Sequence, residues 1–170
     1  SDVFNEHPIP PLDAKYNGAT CDIAGNKRFN WGPIIFPKTE LTRRIRAWGV
    51  KNGRAEATIP GVANIEIQTS NTFGRPRSYL LTDTKGQQYR LTAEQMRWAI
   101  NAEANGGPIV FSSFFRPVDA GDTIQFVEGH GFGHGVGACQ WCMQARALNG
   151  EGFDAIVLKN FPKSQVTRAY

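Results

Sequence analysis

Gly129-His130-Gly131-Phe132-Gly133-His134-Gly135-Val136-Gly137 holds five glycines, two histidines and one aromatic residue in nine positions. Glycine at every second place lets the backbone adopt positive φ and leaves bare amides that a ligand can approach. The stretch runs into a helix expected from about Ala138 to Leu148, stopped by Asn149-Gly150. Free N–H groups and the dipole at such a helix start favour an anion or developing negative charge. One loop histidine would read as a solvent-exposed side chain; two in a glycine cradle against a helix start point to a binding site. The pattern is not a phosphate-binding loop, since no Gly-Lys-Ser/Thr follows, and it fits Gly-x-Gly-x-x-Gly poorly. No cofactor is expected.

Three cysteines, Cys21, Cys139 and Cys142, allow at most one intramolecular disulfide. Together with His130 and His134, the Cys139-x-x-Cys142 pair offers two nitrogens and two sulfurs, the ligand set of a structural zinc site. The short spacing from His134 to Cys139 argues against that use, so no metal is expected. A redox pair would need a βαβ context that does not precede it, and buried, inert thiols are the default expectation.

Working outward, Phe111–Arg116 reads as an aromatic strand and Thr123–Val127 as another, joined by a turn at Asp119-Ala120-Gly121-Asp122. Upstream, Ala63, Ile65, Ile67 and Thr69 alternate with polar residues, the period of a half-buried strand. Strands at Ser78–Thr82 and Gln88–Leu91 follow, separated by a tight turn at Asp83–Gly86. Thr92 and Gln95 form a capping box that opens a helix through Met96, Ala99 and Ile100. A helix is also expected from Thr39 as N-cap, with Glu40 in its first turn, Leu41, Ile45 and Trp48 on one face, and Gly49 as its stop. Beyond residue 150, Phe153–Leu158 suggests a short helix and Gln165–Tyr170 a closing strand. The fold class is α+β: a small antiparallel sheet or partial β-barrel with two to three packed helices.

Residues 1–37, rich in proline, read as an extended lead-in, with Trp31, Ile34, Ile35 and Phe36 as its anchors; residues 38–170 form the body. No apolar run approaches the roughly 20 residues needed to span a bilayer. The chain opens without a basic and apolar leader, as expected of a cytoplasmic protein or of a mature or truncated product. A net charge of +4 and a pI near 9.1 favour polyanionic surroundings such as nucleic acid, anionic lipid or wall polymers. Basic residues are scattered and do not interleave with aromatics, which disfavours a nucleic-acid module. The densest patch, Arg43-Arg44-Ile45-Arg46, reads as a solvated helix face.

The glycine stretch with Ala138-Cys139-Gln140-Trp141 resembles the signature of the stage II sporulation protein D and amidase-enhancer family, Gly-Arg-Gly-Tyr-Gly-His-Gly-Val-Gly-Met-Ser-Gln-Trp-Gly-Ala. Phe114-Phe115, Gly121-Asp122-Thr123 with Phe126, and Asn160-Phe161-Pro162 resemble the flanking pattern in order. The resemblance covers about residues 35–170 and is specific from 111 onward. It implies action on peptidoglycan glycan strands, as a lytic transglycosylase or as an enhancer of a wall amidase, and hence a bacterial, extracytoplasmic setting.

By motif, His134 carries over. His130 stands where the family usually has arginine, Ala138 where it has methionine, and Cys139 and Cys142 where it has serine and glycine. The family's catalytic glutamate lies in an N-terminal half with a Glu-Met/Val-Pro motif, which this sequence lacks; a missing half or a partner chain would then supply the acid. Glycosidic cleavage needs a carboxylic acid to protonate the leaving oxygen. Glu128, adjacent to the loop, is the substitute candidate, and a solvated strand-end carboxylate is its plainer reading. His130, Phe132, His134, Gly137, Gln140 and Trp141 are the expected sugar-binding residues: the loop and helix start hold the sugar, the Gln140 amide serves hydroxyls and the Trp141 indole the ring's C–H face. Trp141 reads equally well as core.

Overall fold

The computed structural model describes residues 29–107 and 109–168. Expectations placed on residues 1–28, Cys21 among them, and on Ala169-Tyr170 lie outside the described residues. The fold is α+β: the described residues form four helices and three small antiparallel sheets and no closed barrel.

Strands β1 (Asn30–Trp31) and β2 (Ile34–Pro37) come from the end of the proline-rich lead-in. β2 leads directly into α1 (Lys38–Asn52). Pro37, not Thr39, is its N-cap, because β2 runs up to the helix with no loop in which a side-chain cap would turn. Glu40 occupies the first turn as expected. Gly49 does not end the helix. A Cβ there would sit 2.3 Å from the Ala57 amide nitrogen, so Gly49 is where the 3₁₀ turn Ala55–Thr58 crosses the helix at close range. The stop is Gly53, in the left-handed conformation with its N–H on Val50 and Gly49 carbonyls nearby.

The meander follows the expected order: β3 (Val62–Ser70), β4 (Pro76–Asp83) and β5 (Gln88–Thr92), paired β3-β4-β5. The Thr92/Gln95 capping box is present at the start of α2 (Ala93–Asn101), with both reciprocal hydrogen bonds. A second sheet, β2-β7-β6, joins β6 (Arg116–Ala120) and β7 (Thr123–Val127) to the lead-in strand. β8 (Gly129–His130) pairs with β1. Helices α3 (Gln140–Leu148) and α4 (Phe153–Asn160) complete the chain. Residues 165–168 form no strand, which corrects the expected closing strand over its described part.

One core unites α1, α2 and both three-stranded sheets. Leu41 and Ile45 of α1, Met96 and Ile100 of α2, Leu81 of β4 and Phe126 of β7 are all fully buried within it. Tyr79 and Phe115 stack at 5.0 Å, and Phe126 meets Phe115 edge-on at 4.9 Å. The Tyr79 hydroxyl lies 3.0 and 2.9 Å from the carbonyls of Ser113 and Phe115, which ties the meander to the segment before β6. Burial pushes that phenol well above its ordinary value.

The basic patch of α1 is solvated at Arg43 and Arg46 but not at Arg44. Arg44 is buried; its Nε donates to Glu40 at 2.7 Å and its Nη1 to the Ala102 carbonyl, also at 2.7 Å, at the end of α2. Arg46 donates to the carbonyls of Ile59 and Pro60, and Arg43 pairs with Glu40 and Glu103. These arginines join elements together.

Candidate functional site

The glycine stretch forms a loop held at its base and open at its crest. Gly129, in β8, faces the Trp31 indole so closely that a Cβ would lie 2.1 Å from the ring. Trp31 Nε1 donates to the Gly131 carbonyl at 3.0 Å, and the Gly131 amide donates to Phe29 O at 2.7 Å. Gly131, Gly133, Gly135 and Gly137 all take positive φ, between 71° and 101°. A chain with that alternation cannot continue a pleat.

That conformation also explains why Phe111–Phe115 is not the expected aromatic strand. Its neighbour is the glycine loop, which offers isolated bonds in place of a ladder. His130 N donates to Phe114 O (2.9 Å), Gly133 N to Phe111 O (2.8 Å), and Ser112 Oγ to His130 O (2.6 Å). A single parallel bridge, Ser112 with Gly133, is all the β-structure that results.

Arg75, between β3 and β4, is the loop's second support. Its Nη2 donates to Ser113 Oγ and to the His134 carbonyl, each at 3.0 Å, and its guanidinium lies over the Phe114 ring at 5.8 Å. Its Nε is sealed from solvent with no hydrogen-bond partner among the described residues. Burial lowers the guanidinium from the ordinary arginine value, against the opposing pull of Glu94. Gly135 is glycine at a position where a Cβ would meet Arg75 Nη1 at 2.3 Å. Nothing local marks Arg75 in the sequence: it lies 59 residues from His134.

The two histidines are set in opposite senses. His130 is half-buried, edge-on to Phe114 at 5.0 Å, and its Nδ1 is 2.9 Å from Asn30 Oδ1. With that oxygen as acceptor, Nδ1 carries the proton and Nε2 is an acceptor. His134 is exposed, and its Nδ1 accepts the Val136 amide at 3.1 Å, so the neutral ring carries its proton on Nε2 as a donor. Between them Phe132 is 54% exposed, its ring 5.9 Å from that of Phe111. The loop therefore carries an exposed apolar ring and an exposed imidazole on a braced backbone.

The peptide Gly137–Ala138 is cis, with Gly137 against the Phe161 ring, and α3 begins just beyond. Its N-cap is Cys139, whose sulfur accepts the Cys142 amide at 3.4 Å. The thiol thus occupies one of the helix-start donors expected to meet a ligand. Trp141 is 41% exposed and so lies at the surface rather than in the core. Gln140 is exposed and lines a hollow of about 320 Å³ between α3 and α4, together with Met143, Gln144, Ala147, Phe153 and Ile156.

Glu128 has φ of 53° and an exposed side chain that forms a two-pronged ion pair with Arg116, at 2.9 and 2.5 Å. The Arg116 guanidinium holds its carboxyl below the usual carboxylate range. A general acid needs the opposite environment, one that raises the carboxyl toward neutrality. Among the described residues, no three of His, Cys, Asp and Glu gather where they could ligate a metal, so the four-ligand zinc set is not assembled. No described helix is long and apolar enough to cross a membrane.

No protein-family model matches the chain, and no curated protein matches it.

Proposed function

We infer that the chain holds peptidoglycan glycan strands along the loop Gly129–Gly137, as the sugar-binding part of a lytic transglycosylase, in an extracytoplasmic setting. The observation that carries this reading is the braced loop itself. Trp31 and Arg75 hold its backbone, while Phe132 and His134 are exposed. An exposed aromatic face suits the C–H side of a pyranose, and a fixed N–H donor suits a hydroxyl or acetamido carbonyl. Preorganised polar groups on a rigid base lower the ordering cost of binding. Trp141 adds a second exposed aromatic at the start of α3.

The proton donor for cleavage comes from outside the described residues in this reading. The Glu128–Arg116 ion pair keeps Glu128 ionised, and an ionised carboxylate accepts a proton rather than donating one. The same ion pair favours the second reading, a non-catalytic peptidoglycan-binding module or amidase enhancer.

Incubation of the whole chain with peptide-free glycan strands, followed by sedimentation and mass spectrometry of the soluble fraction, tests both. Retention of strands by the parent chain and its weakening by His134→Ala are expected. Equal failure of parent and variant to retain strands would overturn the glycan reading. Anhydro-ended fragments that vanish with Glu128→Gln would overturn the assignment of the acid to another residue.

A further inference from the structure

We propose that Glu94 is a positioning residue for the glycine loop: its carboxylate, buried in the first turn of α2, is the counter-charge that keeps the Arg75 guanidinium against Gly135 and the His134 carbonyl. This deepens the glycan reading and rests on it only for what the loop holds, not for what holds the loop.

The need for a counter-charge follows from the acceptors that Arg75 reaches. Ser113 Oγ and the His134 carbonyl are both neutral. Ser113 is itself fully buried, and the loop backbone closes on the guanidinium at Gly135, where a Cβ would collide with Nη1, Cζ and Nη2. A cation taken out of water in this way is costly unless an anion shares its surroundings.

Strand register brings that anion. Ser78 of β4 pairs with Thr92 of β5 in the antiparallel ladder. Arg75 precedes Ser78 and Glu94 follows Thr92, so both leave the ladder at the same end. Glu94 is 1% exposed. Its Oε2 accepts two hydrogen bonds from Arg97, at 2.9 and 2.6 Å. Its Oε1 and Arg75 Nε are a sealed acceptor and a sealed donor, neither with a hydrogen-bond partner among the described residues. The Tyr79 hydroxyl donates to the carbonyl of Ser113, the residue whose Oγ accepts from Arg75. Burial dominates the upward shift of that phenol, with Arg75 and Glu94 acting on it in opposite directions, so both charges reach the same hydroxyl. Burial likewise lowers the Arg75 guanidinium, and Glu94 is the strongest of the groups that oppose it. In a low-dielectric interior such an attraction is weakly screened.

Hydrogen exchange on the whole chain, without glycan, tests the proposal. The readout is protection of the Gly131, Gly133 and Val136 amides, each a donor in the loop, relative to Ile45 and Trp48 in the core. Glu94→Gln keeps the volume and removes the charge, and should lower that relative protection by about tenfold or more. Glu94→Asp keeps the charge and should recover most of it, because a buried charge interaction falls off slowly with distance. Arg97→Met removes the other partner of Glu94 and should leave the loop protected. In an Arg75→Met background, Glu94→Gln should expose the loop no further. Where Glu94→Gln alone does not fold, the Arg75→Met/Glu94→Gln chain should, since that cation is no longer left unbalanced. A Glu94→Gln loop as protected as the parent's, equal exposure by Arg97→Met, additive effects in the double variant, or its failure to fold would each overturn the proposal. No glycan is present, so this result and the strand-retention result fail independently.

Discussion

Replacement of Gly129 by alanine tests whether the Trp31 indole is the post on which the glycine loop is built. The new methyl would lie 2.1, 2.3 and 2.3 Å from Trp31 Cδ2, Cε2 and Cε3. Carbon atoms prefer about 3.5–4.0 Å, so the ring must retreat by more than 1 Å, a distance of about one-third of a contact. It has little room to do so, because it sits 5.9 Å from both Phe111 and Phe115. Overpacking of this kind costs about 1–3 kcal/mol. Loss of the Trp31 Nε1–Gly131 hydrogen bond adds about 1 kcal/mol, for a total of roughly 2–4 kcal/mol. Urea unfolding of the parent and Gly129→Ala chains, read by linear extrapolation, measures it. Combining the change with Trp31→Leu separates the clash from other effects. If the methyl acts through the indole, the double variant should be less destabilised than the sum of the singles by at least about 1 kcal/mol. A Gly129→Ala chain within about 0.5 kcal/mol of the parent, or strict additivity, would refute the reasoning.

Arg75→Met should keep the stem and remove both donors; amide exchange in residues 131–137 should accelerate, and stability should fall by about 1–3 kcal/mol. Thr92→Ala should cost about 1 kcal/mol by denaturant unfolding, since it removes one half of the capping box. Glu40 is held down to about 2, chiefly by its hydrogen bond to Arg43 and then by Arg44. Because its folded value is depressed, its stabilising effect is complete above the ordinary carboxylate value of 4.5 and is lost as pH falls toward 2. Acid titration of the unfolding midpoint should therefore be shallower in Glu40→Gln across that window, and identical slopes would remove Glu40 from the acid response.

Much of the scaffold is legible because its signals are local. The alternation from Ala63 to Thr69, the turn at Asp83–Gly86 and the Thr92/Gln95 box each depend on neighbours within a few residues, and each is present. Misread features are those decided by distant chain. Gly49 looks like a helix stop by itself, yet the 3₁₀ turn passing over it makes it a crossing point. Arg44 looks solvated until the end of α2, 58 residues away, accepts its hydrogen bond. Phe111–Phe115 has strand composition, but the glycine loop beside it supplies no ladder. The same holds for the site. Its exposed residues Phe132 and His134 announce themselves through the glycine pattern and Trp31 is legible as an anchor of the lead-in, whereas Arg75, and what Trp31 anchors, are found only by contacts made across the fold.

Helices α3 and α4 lie outside the main core. Their buried apolar residues, Cys142, Ala145 and Ile156, are not among the cluster that joins α1, α2 and the sheets. A segment with its own small apolar seam opens with a free energy below that of the whole molecule. The helical pair should therefore open as a second unit, its amides exchanging through openings that leave Leu41 and Met96 untouched. A stiff platform that includes the braced loop then carries a softer arm, so Phe132 and Trp141 stand on surfaces of different compliance.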